Sequence, residues 1–278
     1  MSNLAIRIIV AVIAIPLIVA AAYFGSSYFF IFTTALIVIA TNEFYLLAKQ
    51  RDLNPIEVVG IACAGVLNAI AYSSGLGAAL DVLMLIIPFV LLMELSRKRT
   101  DGVKGTFENV GTTLTGIVYV GLFGAILTAV RERYGIENVF PDERSAGLFV
   151  VTVLATIWIC DSAAYFVGRA AGKHKMSKFV SPNKSWEGAV AGLVFAVATS
   201  VAGRSILLPN FSLRLAVGTG IVVGMFGQAG DFVESMFKRD AGAKDSSGMI
   251  PGHGGVFDRF DSLLFSAPFI YLMLKYLS

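Results

Sequence analysis

Leu4-Ala-Ile-Arg7-Ile-Ile-Val-Ala-Val-Ile-Ala-Ile-Pro16-Leu-Ile-Val-Ala-Ala-Ala-Tyr23-Phe24 is an apolar run broken by a single charge, Arg7. About 20 such residues suffice for a helix to cross the hydrocarbon layer of a membrane. The run exceeds the ~7–15-residue core of a secretory signal, and no small-x-small cleavage site followed by a soluble domain comes after it. We read it as a retained first span. Comparable runs recur at 28–48, 56–73, 78–95, 109–130, 146–168, 187–208, 213–236 and 261–277. The third is the weakest, being short and rich in Gly and Ala. Apolar residues make up 56% of the 278-residue chain and charged ones 15%, against about 25% charged in a soluble domain. Mean hydropathy is +0.76. The predicted fold is all-α, a polytopic transmembrane protein of about nine spans.

Lys and Arg in short loops set orientation. With the N-terminus in the cytoplasm, 16 of the 22 Lys and Arg residues fall on the cytoplasmic side, Arg7, Arg51, Arg99 and Lys184 among them. The other six are Arg131, Arg133, Arg144, Arg204, Arg214 and Lys275. This asymmetry predicts a cytoplasmic N-terminus and puts two long polar loops, 169–186 and 237–260, in the cytoplasm. A net charge of +3 is too small for a nucleic-acid binder. Cys63 and Cys160 lie in apolar runs and form neither a disulfide framework nor a zinc pattern.

Residues 1–145 read as plain spans, while intramembrane acids and polar loops gather in 146–278. Ionisable groups inside spans are costly and therefore functional candidates. Asp161 lies in Trp158-Ile-Cys-Asp161-Ser-Ala-Ala-Tyr165 and shares a helix face with Tyr165 and Gly168. Asp231, Glu234 and Ser235 share another. Two carboxylates on one face repel unless a cation separates them; a metal ion would do so, and so would salt bridges to Lys238 or Arg239. Asp258 and Asp261 open the last span. They are either hard oxygen ligands suited to Mg2+ or helix caps. Between these acids run Lys244-Asp245 and the glycine-rich Pro251-Gly252-His253-Gly254-Gly255. The glycines let backbone N–H groups approach an anion, and the lysines and arginines suit phosphate oxygens. Upstream lies Ser181-Pro182-Asn183-Lys184-Ser185-Trp186-Glu187-Gly188, in a loop whose lysines are either ordinary inside-positive charge or part of a site in which Ser185-Trp186-Glu187-Gly188 caps and anchors the seventh span while Lys184 faces a phosphate. Gly-x-Ser-x-Gly, His-Glu-x-x-His and a complete phosphate-binding loop are missing from the sequence.

Residues 235–261 resemble the signature of the phosphatidate cytidylyltransferases, also called CDP-diacylglycerol synthases. Ser235 is followed by Lys238-Arg239, then Lys244-Asp245, His253-Gly254-Gly255 and Asp258-Arg259-x-Asp261. Asp161 to Tyr165 and Ser181 to Gly188 are similar to that family as well. The resemblance covers roughly 158–277; the first 150 residues agree only in being hydrophobic helices. It implies a Mg2+-dependent enzyme of the bacterial plasma membrane, commonly a homodimer, that takes CTP from the cytoplasm and phosphatidic acid from the bilayer. On that reading 146–278 is the catalytic region and 1–145 serves packing and dimer contacts. Asp231 and Asp258 are the first-choice metal ligands, with Asp261, Asp245 and Asp161 next, and the number of ions left open. Lys184, Lys238, Arg239, Lys244 and Arg259 would hold phosphates, beside Ser185 and the turn at His253, Gly254 and Gly255. The alternatives are a multi-pass transporter with a polar site on the cytoplasmic side, or a cytidylyltransferase for another lipid phosphate.

Overall fold

The computed structural model describes residues 3–98 and 103–278; Arg99 lies outside them. Among the described residues, eight helices are long and apolar enough to cross a membrane. We number them α1 (Asn3–Phe24), α2 (Ser26–Lys49), α3 (Glu57–Leu95), α4 (Thr106–Arg131), α5 (Glu143–Ala171), α6 (Trp186–Leu207), α7 (Leu213–Asp240) and α8 (Phe257–Leu277). The described residues contain no β-strand beyond two isolated bridges, Lys175 with Ser185 and Ile250 with Gly254.

These eight helices are long enough for about nine passes, because one of them folds back on itself. At 39 residues a straight α3 would be about 58 Å long, twice the hydrocarbon thickness. Gly75 breaks it, with φ 85° and ψ 171°, a conformation open to glycine and strained for other residues. The Tyr134 ring also sits 3.2 Å from where a Cβ at Gly75 would stand. The second limb returns beside the start of the first: Arg97 donates to the carbonyls of Asn54 at 2.7 Å and Pro55 at 3.4 Å. Limbs 57–74 and 76–95 are therefore the expected third and fourth passes, joined by one glycine instead of a loop.

Contacts sort the connections into two ends. At the basic end, Arg51 pairs with Asp240 at 3.3 Å, and Lys184 pairs with Asp231. At the other, Arg131 donates to the carbonyls of Ala22 (2.6 Å) and Tyr23 (3.0 Å), Ser26 N–H donates to Glu132, and Phe140 stacks on Phe211. This is the sorting that nine alternating passes require. Mid-bundle, Asn68 joins three helices: its Nδ2 donates to Thr34 (2.9 Å) and its Oδ1 accepts from Thr128 (2.7 Å). Such side-chain bonds hold helices together where lipid offers no partner.

The polar loops are shorter than expected. Helix α5 runs to Ala171, α7 to Asp240, and α8 starts at Phe257. Lys238 and Arg239 thus close a helix, where cations suit its dipole, and Asp258, Arg259 and Asp261 lie within α8. The loops span 172–185 and 241–256 rather than 169–186 and 237–260. Helices α4 and α7 each contain a widened π-helical stretch, Gly116–Leu122 and Val223–Gly227.

Candidate active site

Helix α7 turns Asp231, Glu234, Ser235 and Lys238 to one face, as i, i+3, i+4 and i+7 spacing dictates. Glu234, Ser235 and Lys238 are buried. Lys238 Nζ sits 2.7 Å from both Glu234 Oε2 and Asp258 Oδ1, so the salt-bridge alternative describes this part of the face. Higher on α7, Asp231 pairs with Lys184, whose ammonium also lies 4.4 Å from the centre of the Phe232 ring. Lys184 is delivered there by Ser185, which caps α6 by accepting from Gly188 N–H at 3.2 Å. Small residues at the contact, Ala164 and Gly168 against Gly188, bring α6 close to α5.

Asp231, Glu234 and Asp261 each offer an oxygen within 4.8 Å of the others. Asp261 is buried beside them because α8 crosses α7 closely at Gly230, whose missing Cβ would stand 2.8 Å from the Asp261 carbonyl oxygen. Asp161 is exposed midway along its span, within electrostatic reach of Asp231, Lys184 and Arg259.

Asp258 is already engaged. Its Oδ2 accepts from Ser246 N–H (2.8 Å), Ser246 Oγ (2.8 Å) and Gly255 N–H (2.7 Å), while Oδ1 accepts from Lys238. It therefore organises the loop and the lysine, and it stands next to the trio, sharing the Lys238 ammonium with Glu234. Lys244, Asp245 and Arg259 are exposed at the loop and helix surface. Arg239 donates to the carbonyl of Ala243 in its own loop. His253 and Gly254 form a tight turn closed by Ile250 N–H to Gly254 O at 2.8 Å, with Gly254 at φ 82°; His253 Nδ1 is buried without a hydrogen-bond partner.

Sequence reasoning missed two residues. Glu234 stands out on the Asp231 face but was not chosen as a ligand. Glu43, on α2, is 1% exposed and ties the loop down from outside the motif region. Its Oε2 accepts from Phe257 N–H (2.7 Å) and lies 3.1 Å from Ser246 Oγ, whose one hydrogen it shares with Asp258; its Oε1 accepts from Val256 N–H (3.1 Å) and from Ser247 Oγ. It thereby caps α8. The rule that singles out Asp161, an acid inside a span, applies equally to Glu43 in Thr41-Asn42-Glu43.

Counted formally, the carboxylates of Asp231, Glu234, Asp258 and Asp261 face the ammonium groups of Lys184 and Lys238, leaving two negative charges. The Oε1 of Glu234 is buried without a hydrogen bond among the described residues, which an oxygen left for a cation would be. An octahedral Mg2+ with oxygens at about 2.1 Å spaces its ligands about 3–4.2 Å apart, within the spread of the trio. The donor set, all oxygen with no sulfur or imidazole, suits that hard cation.

A model of the cytidylyltransferase family matches residues 5–277. Phosphatidate cytidylyltransferase of Staphylococcus saprophyticus is 37% identical over 170 residues, which is 61% of this chain and 60% of that protein. That of Bacillus subtilis is 37% identical over 176 residues, 62% of this chain and 61% of its own length. That of Staphylococcus epidermidis is 40% identical over 136 residues, 49% and 52%. The aligned part thus spans about half to three fifths of these relatives.

Proposed function

The chain belongs to the cytidylyltransferase family, and from that premise we propose that it transfers the cytidylyl group of CTP to phosphatidic acid. A phosphate oxygen of phosphatidic acid attacks the α-phosphorus of CTP. The bond from that phosphorus to the oxygen bridging to the β-phosphate breaks, pyrophosphate leaves, and CDP-diacylglycerol stays in the bilayer. The observation that carries this reading is the trio Asp231, Glu234 and Asp261, flanked by Lys184 and Lys238 at the basic end.

A phosphate monoester is itself an anionic nucleophile, so the obstacle is the repulsion between two polyanions. Bound Mg2+ would supply positive charge on the phosphate oxygens, held by Asp231, Glu234 and Asp261. Lys184 stands beside Asp231 and can turn its ammonium to a phosphate. Lys238 keeps Glu234 and Asp258 from repelling each other. Asp258 and Glu43 hold the 241–256 loop, whose exposed Lys244, with Arg259 after it, faces the incoming nucleotide. We place the basic end in the cytoplasm, the protein in the bacterial plasma membrane and the working unit as a homodimer. The grouping of polar residues at one end and the family assignment both speak against the transporter alternative. The names of the relatives favour phosphatidic acid over other lipid phosphates.

The test is purified protein with labelled CTP, phosphatidic acid and Mg2+. Label should enter the lipid phase, stop with EDTA and resume with added Mg2+. Asp231→Asn should lose at least 100-fold in turnover, on the scale of removing a charge stabiliser from a reacting phosphate, while Lys178→Ala, at an exposed position of the 172–185 loop, changes little. Full turnover by Asp231→Asn would sink the reading; competition by other lipid phosphates measures how strictly phosphatidic acid is preferred.

A further inference from the structure

Tyr119 sits on the π-helical stretch of α4, in the half of the chain that carries none of the family motif. Such a bulge rotates side chains away from their ordinary helical direction and recurs at functional sites. The ring reaches across to both helices that carry the carboxylates. On α8 its centroid lies 5.7 Å from that of Phe257 and 6.0 Å from that of Phe265. Those two and Asp261 recur every four residues on one face, so Asp261 is the residue between them. On α7 the ring lies 6.1 Å from Phe237, one turn from Glu234.

The side chain is 6% exposed, and its hydroxyl has no hydrogen-bond partner among the described residues. A buried tyrosine normally finds one. Tyr45 shows the structural case, donating to the Thr113 carbonyl at 2.7 Å. If packing were all that position 119 required, phenylalanine would fill it among its Phe neighbours without burying an unpaired hydroxyl. Burial dominates the setting of the Tyr119 hydroxyl, and Asp261, Glu234 and Asp231, the same trio, lie within electrostatic reach of it.

We propose that Tyr119 is a positioning residue of the carboxylate trio, its O–H, unpaired among the described residues, turning to the oxygen of Asp261 that faces away from a bound divalent cation. This rests on the reading of the trio as a cation site. A carboxylate that binds an ion through one oxygen leaves the other to be oriented, and partners of that kind commonly govern affinity. A phenol fits this role because it is a neutral donor, so it holds a carboxylate without competing with the cation for charge.

The experiment measures Mn2+ binding directly, by electron paramagnetic resonance on purified protein in detergent, for wild type, Tyr119→Phe and Asp231→Asn. Thermal midpoints are taken in the absence of divalent cation. Tyr119→Phe keeps the ring, so its cation-free midpoint should equal or exceed that of wild type. Its Mn2+ affinity should fall about tenfold, the lower end of the range for such supporting residues, and Asp231→Asn should lose binding. Tyr119→Phe binding within twofold of wild type, with Asp231→Asn binding lost, overturns the role of Tyr119 and leaves the trio standing. A lowered cation-free midpoint overturns it in favour of packing. Equal binding by wild type and Asp231→Asn, or none by either, removes the trio and the proposal together.

Discussion

Replacing Glu43 by Gln changes one atom and tests how the first half of the chain supports the site. Each carboxylate oxygen of Glu43 faces one hydroxyl and accepts from one backbone N–H: Ser247 with Val256 on Oε1, Ser246 with Phe257 on Oε2. A glutamine must turn its NH2 toward one of these pairs. The hydroxyl of that pair can rotate and accept instead; the backbone N–H cannot. Either orientation strands one N–H at the start of α8. Losing a bond to a charged acceptor costs about 1.5–3 kcal/mol and a buried unpaired donor about 1–3 kcal/mol. These overlap, so we expect about 2–4 kcal/mol of local stability to be lost. At about 1.4 kcal/mol per factor of ten, amide exchange at residues 246–257 should speed up about 30- to 700-fold. Hydrogen–deuterium exchange with mass spectrometry in micelles reads this directly, with α5 as an internal reference. Because Ser246 also holds Asp258, cytidylyl transfer should fall at least tenfold along with it. Exchange within threefold of wild type would show that Glu43 is not the anchor its geometry describes.

Three further outcomes follow from the same geometry. Lys238→Met leaves Glu234 and Asp258 facing each other without the ammonium between them, and should cost about 3–5 kcal/mol; denaturation in mixed micelles measures it, and an unchanged midpoint counts against the bridging role. Gly255→Ala places a Cβ 2.1 Å from Ser246 Oγ and 2.6 Å from Glu43, whereas at Gly248 a Cβ meets nothing within 4 Å. The first should cut turnover at least tenfold and the second leave it within twofold, and equal activities would contradict the close packing at Gly255. Arg131→Met removes two hydrogen bonds to the end of α1 at the end of the bundle away from the site. We expect about 3 kcal/mol of lost stability with turnover per folded molecule unchanged; a drop in turnover alone would argue that the two ends are coupled.

Much of the fold was legible because a membrane rewards one pattern. A span must be long and apolar, so Leu4–Phe24 and its eight counterparts announce themselves without reference to neighbours. The uneven placement of Lys and Arg sorted the connections into the two ends that the contacts show. Ser185 was legible as a cap because capping depends on a few adjacent residues, and the Asp231–Glu234–Ser235 face followed from helical spacing alone. Gly75 was harder: a glycine among apolar residues does not say whether the chain bends there or runs straight, and the answer depended on Tyr134 and on where Arg97 ends.

The linear chain was thus sufficient for the class of fold, the approximate number of passes, the polar end and the acids available to the site, since each rests on local composition or on spacing within one helix. Only the packed bundle decided which acids meet. Asp258 is bonded to the 241–256 loop and to Lys238 beside Glu234, and Glu43 and Tyr119 stand more than 100 positions before Asp231 in sequence. The reason is physical: a carboxylate's role depends on which donors and cations surround it, and those come from segments whose closeness no local pattern encodes.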